Sequence, residues 1–230
     1  MKADFINYNR IAQAQIFYKA LGYANVVVPW LVSPQAVIAT LPLGRKIFQS
    51  NFGCAIGSAE QSFIQMMLDK ELEPGRYQAT TPCYRDEDKY DDLTQMTFMK
   101  TELIWYNPQS EGVEPIDAYE QVFNHALQCF FHVSDGDKFS LVKTDEGVDI
   151  FCNNVELGSY GIRKLGDEHL WVYGTGLAEP RFTLVVQKGY GYVEDQPTME
   201  DLQVSDQTTG QNQGTDGLTE AFLTVLPERL

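Results

Sequence analysis

The middle of the chain contains two long segments with the composition of β-strands, residues 77–85 and 94–106. The turn between them, residues 86–92, holds five carboxylates and one lysine. Two consecutive extended segments joined by a polar turn predict an antiparallel hairpin. Facing residues of such a hairpin lie close together, so Arg85 and Phe98 are expected to point to the same side.

Helical periodicity marks several other segments. Apolar residues recur at helical spacing over 8–21, before Gly22, and over 59–72. Residues 115–132 begin with proline and carry an apolar face, which predicts a helix lying across a sheet. A last core helix is expected at 177–188. Short strands are expected at 25–28, 52–56, 139–143, 148–152, 155–160 and 169–173. These elements predict an α+β fold, an antiparallel β-sheet flanked by helices.

Length and charge limit the class of protein. The 230 residues suffice for one domain with a full-sized core, which we place at 1–192. Residues 193–217 form an acidic polar stretch, interpreted as a loop, and 218–230 are expected to pack on the core. The formal charge of −15 repels phosphate backbones and anionic lipid at long range, so neither DNA nor a membrane is an expected partner.

The sequence also carries signals about location and cysteine chemistry. No run approaches the roughly 20 apolar residues of a membrane span, and the N-terminus has no signal-peptide pattern, so we expect a cytoplasmic protein. Four cysteines lie far apart without a Cys-x-x-Cys pair, which predicts reduced, mostly buried thiols. His125 and His132 are interpreted as packing or surface residues.

Three patterns occur in a fixed order along the chain. They are LGYANVVVP at 21–29, CYRDE at 83–87 followed by FMKTE at 98–102, and GTGLAEPR at 174–181. In this order they resemble motifs 1, 2 and 3 of the class II aminoacyl-tRNA synthetases, and the wording of the second and third is nearest to the seryl and prolyl branch. The resemblance covers about residues 8–188 and implies the catalytic-core fold of that class.

Two shorter stretches support the resemblance. GSAE at 57–60 is similar to the Thr-x-Glu loop of the seryl and prolyl branch, which places Ser58 and Glu60 at the α-ammonium group of an amino acid. A helix cap formed by Ser58, with Glu60 at the positive helix end, is an alternative that is compatible with this role. VELGSYGIR at 155–163 resembles the strand before motif 3 and a stretch of ammonia-dependent asparagine synthetase.

The resemblance implies a role for each matching residue. Arg85 and Arg181 would hold the ATP phosphates as the catalytic cations, and Phe98 would stack on adenine. Glu87 would accept a hydrogen bond from the adenine amino group or support the hairpin. The expected ATP site also includes Ser159, Gly174 and Gly176, with Glu156 binding Mg²⁺, and the expected amino-acid site includes Glu102 beside Ser58 and Glu60.

The sequence departs from the family pattern at Thr94, a position where the family often has His or Arg. The reaction implied is carboxylate attack on the α-phosphorus of ATP, which gives an aminoacyl adenylate and pyrophosphate. We expect an enzyme, a homodimer that activates an amino acid and passes it to an acceptor other than tRNA, because the acidic turn would repel an acceptor stem. The alternatives are a truncated tRNA ligase that needs a partner, and an inactive regulatory relative that binds an amino acid or nucleotide.

Overall fold

The computed structural model describes residues 6–42, 44–134 and 136–188. The stretches predicted as an acidic loop, 193–217, and as a packed C-terminal segment, 218–230, lie outside this part of the chain. None of the helices in it is both long and apolar enough to cross a membrane.

The described residues alternate between helices and strands. The helices are α1 Tyr8–Ala20, α2 Pro34–Ile38, α3 Ala59–Leu68, α4 Pro115–Val133 and α5 Arg181–Lys188, with a short 3-10 helix at Pro108–Glu111. The strands are β1 Ala24–Asn25, β2 Leu31–Val32, β3 Gln49–Ser50, β4 Gly53–Ala55, β5 Gly75–Tyr84, β6 Thr97–Tyr106, β7 Ser140–Lys143, β8 Gly147–Cys152, β9 Val155–Leu165 and β10 His169–Glu179.

Seven strands form the main sheet, in the order β1-β5-β6-β10-β9-β8-β7. All neighbours are antiparallel except β1, which runs parallel to β5. The predicted hairpin is β5–β6, with Cys83 opposite Phe98. The predicted fold, an antiparallel sheet flanked by helices, is confirmed. A second, three-stranded sheet, β2-β4-β3, was not predicted beyond its middle strand.

The main sheet is apolar on both faces. Leu103 and Trp105 of β6 pack against α1 and α4, whereas their neighbours Ile104 and Tyr106 pack on the side of α2 and α3. This alternation is what a strand buried on both faces requires. The polar side chains of the site lie on the α3 face, toward the β5–β6 turn.

Several predicted elements have different bounds in the structure. The strands predicted at 155–160 and 169–173 extend to Leu165 and Glu179. The strand predicted at 25–28 is only Ala24–Asn25, and the helix predicted at 59–72 ends at Leu68. The helix predicted at 177–188 starts at Arg181, because residues 177–179 continue strand β10 and pair with β6. The predicted hairpin, the first helix and the helix over 115–132 lie where expected.

The cysteines and histidines have the structural roles that were predicted. All four cysteines are buried and free of disulfides. The Nδ1 atom of His125 lies 3.1 Å from the Tyr23 hydroxyl, and His132 stacks on Phe17. Both histidines therefore contribute to packing beside α1.

Candidate active site

Two adjoining cavities open on the α3 face of the main sheet. The first encloses about 970 Å³ and the second about 560 Å³, and both are open to solvent. Arg85, Glu87 and Lys100 line both. Nine of the eleven residues predicted for the site line one cavity or both: Ser58, Glu60, Arg85, Glu87, Glu102 and Ser159 the first, and Arg85, Glu87, Phe98, Glu156 and Arg181 the second.

Arg85 lies just past the end of β5, where the two cavities meet. Its backbone N–H donates to the carbonyl of Met96 at 2.9 Å, which continues the hairpin pairing by one residue. Its Nε donates to the carbonyl of Gly57 at 3.3 Å, and its Cζ lies 5.0 Å from the centre of the Phe98 ring. The hairpin thus brings the two residues together, on the same side of the sheet.

Arg181 approaches the second cavity from the start of α5. Its Nε donates to the carbonyl of Leu93 at 3.1 Å, and one terminal nitrogen donates to the backbone carbonyl of Glu156 at 3.4 Å. Burial lowers the pKa of Arg181, the charge of Glu156 opposes that effect, and the nearby positive charge of Arg85 lowers the pKa further. Arg85 and Arg181, which come from separate elements, therefore line the same cavity.

Neither guanidinium forms an ion pair with a carboxylate of the described residues. Their hydrogen bonds go to carbonyl oxygens, which satisfy donors without neutralising the charge. Arg85 is exposed and Arg181 is half-buried, and the nearby charge of Glu156 offsets part of the positive charge. Because both guanidiniums donate to carbonyl oxygens and not to carboxylates, their charge can still act on an anion in the second cavity.

Glu87 is fixed by a cation that the sequence analysis did not identify. Its carboxylate forms an ion pair with Arg45, from the loop between α2 and β3. Its backbone N–H donates to the Tyr90 hydroxyl at 3.1 Å, and that hydroxyl also donates to the carbonyl of Arg85. The Tyr90 hydroxyl thus links the backbones of Arg85 and Glu87, and Arg45 holds the Glu87 carboxylate, an arrangement compatible with the alternative in which Glu87 supports the hairpin.

Glu60 is a buried carboxylate with two protein donors. Arg163 donates to one of its oxygens and the Trp171 indole to the other, each at 2.8 Å. Burial raises the pKa of Glu60, and the charge of Arg163 limits the rise. Arg163 also pairs with Glu146 and lies over the ring of Tyr173, its Cζ 4.0 Å from the ring centre. Two carboxylates thus share one guanidinium.

Glu102 and Ser58 form a second buried polar group. The Ser58 hydroxyl donates to Glu102 at 2.5 Å, and Lys100 lies 2.8 Å from the same carboxylate oxygen. Ser58 also accepts from the backbone N–H of Glu60 as the N-cap of α3, so the capping alternative is confirmed. The predicted amino-acid-site residues are adjacent in the structure.

Gly174 and Gly176 lie within strand β10, whereas the motif predicts a turn before a helix. A Cβ on Gly174 would lie 2.6 Å from the Tyr160 ring and 2.9 Å from Val122, and a Cβ on Gly176 would lie 3.0 Å from Tyr18. Both missing side chains point to the α1–α4 face, and neither glycine lines either of the two cavities described above. Close packing of β10 on the helices accounts for these glycines.

An irregularity in β10 directs its last residues into the second cavity. The pairing with β6 shifts by one residue between Thr175 and Leu177, which places a bulge at Gly176. A bulge interrupts the alternation of side chains. Thr175 and Ala178 consequently line the second cavity, while Leu177 is buried in the helix-side core.

Glu156 is the one residue predicted to hold a metal. Its side chain is exposed at the second cavity, and the described residues contain no cluster of three His, Cys, Asp or Glu side chains able to hold a metal ion. Mg²⁺ commonly binds through one or two carboxylates together with substrate phosphates and water. The donor set therefore fits a magnesium ion carried by phosphates, and Glu156 with the nearby Ser159 would hold it.

Arg45, Lys100, Arg163 and Tyr173 are among the polar residues of the site that the sequence analysis did not assign. Lys100 lies within the matched stretch 98–102 and Arg163 within 155–163. Their positive charge inside a motif could have identified them as site residues. Arg45 lies in a loop without periodicity, so only the folded chain reveals its contact with Glu87. Thr94, at the position where the family often has His or Arg, lines the second cavity.

Comparison with known proteins gives the same class as the motifs. No family model matches the chain. A curated serine–tRNA ligase from Fervidobacterium nodosum is 32% identical over 123 residues, which is 46% of this chain and 29% of that protein. The chain thus spans less than a third of the length of this relative.

Solved structures with the same fold are aminoacyl-tRNA synthetases. A crystal structure of pyrrolysyl-tRNA synthetase from Desulfitobacterium hafniense superposes with a TM-score of 0.62 at 16% identity, over 80% of this chain and 70% of that one. Seryl-tRNA synthetase from Pyrococcus horikoshii, complexed with ATP, gives 0.62 at 17% identity, over 76% of this chain and 48% of that one. The chain has the catalytic-core fold of the class II aminoacyl-tRNA synthetases. Within that class, the relative matched by sequence is a serine–tRNA ligase.

Proposed function

We propose that this protein activates an amino acid with ATP and releases pyrophosphate. The observation that carries the proposal is the convergence of Arg85 and Arg181 on one cavity without a carboxylate partner among the described residues. Attack of a carboxylate on an α-phosphate develops negative charge between such groups, and fixed guanidiniums stabilise it. Phe98, beside Arg85, offers an aromatic face for adenine.

The charges of the first cavity support an amino acid as the second substrate. Glu60 and Glu146 share Arg163, which leaves this triad with one net negative charge. Arg85 is positive and has no ion-pair partner among the residues that the structure describes. A zwitterion matches this pattern, with its ammonium at Glu60 and its carboxylate at Arg85. Each Glu60 oxygen accepts one protein hydrogen bond, and a carboxylate offers about four acceptor positions, so two remain for a ligand.

Magnesium fits this reaction as an ion brought with ATP. When bound, it would neutralise phosphate charge. Glu156 and Ser159 are the residues of this chain that would hold it. The chain's own cations, Arg85 and Arg181, bind and orient the phosphates, and no side chain is required as a general base because the attacking carboxylate is already ionised.

The favoured acceptor of the activated amino acid is not tRNA. The turn at 86–92 carries five carboxylates, and the pairing of Glu87 with Arg45 leaves the turn acidic. Such a surface repels an RNA backbone. We therefore infer a stand-alone enzyme, cytoplasmic as predicted, that transfers the amino acid to a carrier or small amine.

A second candidate function is aminoacylation of tRNA with the help of a partner. The sequence match to a serine–tRNA ligase favours it, since that relative is named for this reaction. Its whole-protein activity comes to this chain as a proposal, because the chain spans 29% of the relative.

The proposed function is tested by amino-acid-dependent exchange of labelled pyrophosphate into ATP, across the twenty amino acids. We expect exchange with a small subset of them and no charging of bulk tRNA. Charging of tRNA, alone or with a partner, would favour the second candidate. Absence of exchange with every amino acid, in a protein that binds ATP, would point instead to the inactive regulatory relative.

We also propose a homodimer, as motif 1 implies. Large apolar side chains are exposed around β2 and the turn between β3 and β4: Val27 is 95% exposed and Phe52 89%, with Trp30 and Leu31 about half exposed. Because an apolar surface of this kind is unfavourable in water, a second copy of the chain is the proposed occupant.

A further inference from the structure

One part of the first cavity is lined by a group of apolar side chains. Residues 37–42 and 44–48, which extend from the end of α2 to just before β3, contribute eight side chains to the lining of this cavity. The apolar wall of the cavity consists of Val37, Leu41, Pro42, Ile47 and Phe48, with Ala55 of β4 beside them. The backbone N–H of Ala55 donates to the Phe48 carbonyl at 2.8 Å, so the wall is fixed to the small sheet.

The buried polar groups next to this wall already have partners. The Gln61 carbonyl oxygen accepts from the backbone N–H of Gly57 at 2.8 Å, and its amide nitrogen donates to the Thr40 hydroxyl at 3.2 Å. The same nitrogen donates to the carbonyl of Val37 at 3.4 Å. A ligand that reaches this wall therefore meets no buried donor or acceptor that still needs a partner there.

Three cations that line the cavity form ion pairs within the protein. Arg45 pairs with Glu87, Lys100 with Glu102, and Arg163 with Glu60. Lys46 is exposed, so water screens its charge. A charged side chain placed against this wall would lose hydration without gaining a buried counter-ion.

We infer that residues 37–42 and 44–48 form the side-chain subsite for the amino acid and select an uncharged, mainly apolar side chain. The inference rests on the proposed function, which places the α-ammonium and carboxylate groups at Glu60 and Arg85. An apolar pocket discriminates by roughly 10- to 200-fold per methylene group that it buries. The preferred substrate then resembles leucine or methionine more than serine, aspartate or lysine.

Calorimetric titration of free amino acids into the full chain, without nucleotide, tests the subsite independently of catalysis. Leucine or methionine is expected to bind at least tenfold more tightly than serine, aspartate or lysine. Phe48→Ser should reduce this preference at least fivefold. Phe131→Ser, on the partly exposed surface of α4, is the matched control and should leave the preference unchanged.

The outcomes separate the subsite from the activity. Tightest binding of serine, aspartate or lysine, or no binding of any amino acid at 10 mM (about 100 times a typical 0.1 mM affinity), overturns the subsite. Equal effects of Phe48→Ser and Phe131→Ser overturn it as well. Selective binding of apolar amino acids without pyrophosphate exchange supports the subsite and contradicts the proposed function. Exchange with serine or a charged amino acid alone supports the activity and contradicts the subsite.

Discussion

The guanidinium of Arg85 lies over the ring of Phe98, with its Cζ 5.0 Å from the ring centre. A cation at this distance from an aromatic face is attracted by the ring quadrupole. The contact holds Arg85 at the junction of the two cavities before any ligand binds. Pre-positioning of this kind lowers the entropy lost when a phosphate is bound.

Substitutions at these two positions should affect different steps. Arg85→Ala is expected to lower pyrophosphate exchange by at least about 100-fold, as loss of one transition-state donor does. Phe98→Leu should weaken ATP binding about tenfold, because base stacking contributes about 1–3 kcal/mol. Exchange kinetics and calorimetric ATP titration measure the two effects. Lys164→Ala, which removes an exposed cation of β9, is the control, and near-normal exchange by Arg85→Ala would contradict the assignment.

Gly174→Ala is expected to destabilise the protein by about 1–3 kcal/mol, the usual penalty of overpacking a core. The added Cβ would lie 2.6 Å from the Tyr160 ring. Urea denaturation measures the change. Gly57→Ala is the matched control, because its Cβ would make an ordinary 3.5 Å contact with Tyr84. Equal stability of the two variants would contradict the packing role of Gly174.

The buried carboxyl of Glu179 should make stability depend on pH. Burial raises its pKa, while hydrogen bonds from Thr183 and the charge of Arg10 limit the rise. Between the ordinary pKa of 4.5 and the raised one, the folded state binds more protons than the unfolded state, so the free energy of unfolding falls as pH rises. Glu179→Gln removes this loss, so its stability relative to the wild type should increase from pH 4.5 to pH 7 in urea titrations.

The exposed carboxyl of Glu168 provides the control for that experiment. Glu168→Gln should follow the wild-type pH dependence. A constant stability difference between Glu179→Gln and the wild type across the pH range would show that Glu179 is not the group responsible.

Magnesium is expected to bind only with nucleotide. One exposed carboxylate, Glu156, is too few protein ligands for a resident Mg²⁺ ion. Calorimetry should detect no Mg²⁺ binding to the protein alone at millimolar concentration, and Glu156→Gln should raise the Mg²⁺ concentration needed for half-maximal exchange. Tight Mg²⁺ binding without ATP would contradict this role.

The apolar surface at Val27 and Phe52 should hold the proposed dimer together. A double substitution to aspartate there is expected to give a monomer in light scattering, because the charges would have to be buried in the interface. Ile116→Asp, on the exposed side of α4, should leave the dimer intact. A wild-type monomer at micromolar concentration would contradict the proposal.

The sequence predicts best the elements whose local pattern agrees with their tertiary contacts. The β5–β6 hairpin and α4 lie within two or three residues of their predicted ends. Residues 177–179 were wrongly assigned to a helix, because Leu, Ala and Glu favour helices locally. Pairing with β6, where Leu177 faces Thr101, determines their conformation instead.

The motifs located most of the candidate site, and tertiary contacts supply the rest. Arg163 and Glu60 are 103 residues apart in sequence, so neither residue alone predicts their ion pair. The wall at 37–42 and 44–48 carries no motif or periodicity. Gly174 and Gly176 were predicted to precede a helix, and the structure places them in β10, with α1 and α4 packed against their missing side chains.

The bulge at Gly176 sets the phase of the last residues of β10. Thr175 lies before the bulge, and its side chain faces the second cavity. After the bulge the alternation of side chains is reversed, so Leu177 faces the core and Ala178 faces the cavity. Insertion or deletion of a single residue in this short stretch would move Leu177 out of the core and at the same time turn Ala178 away from the second cavity. The length of the strand is therefore as constrained as its composition.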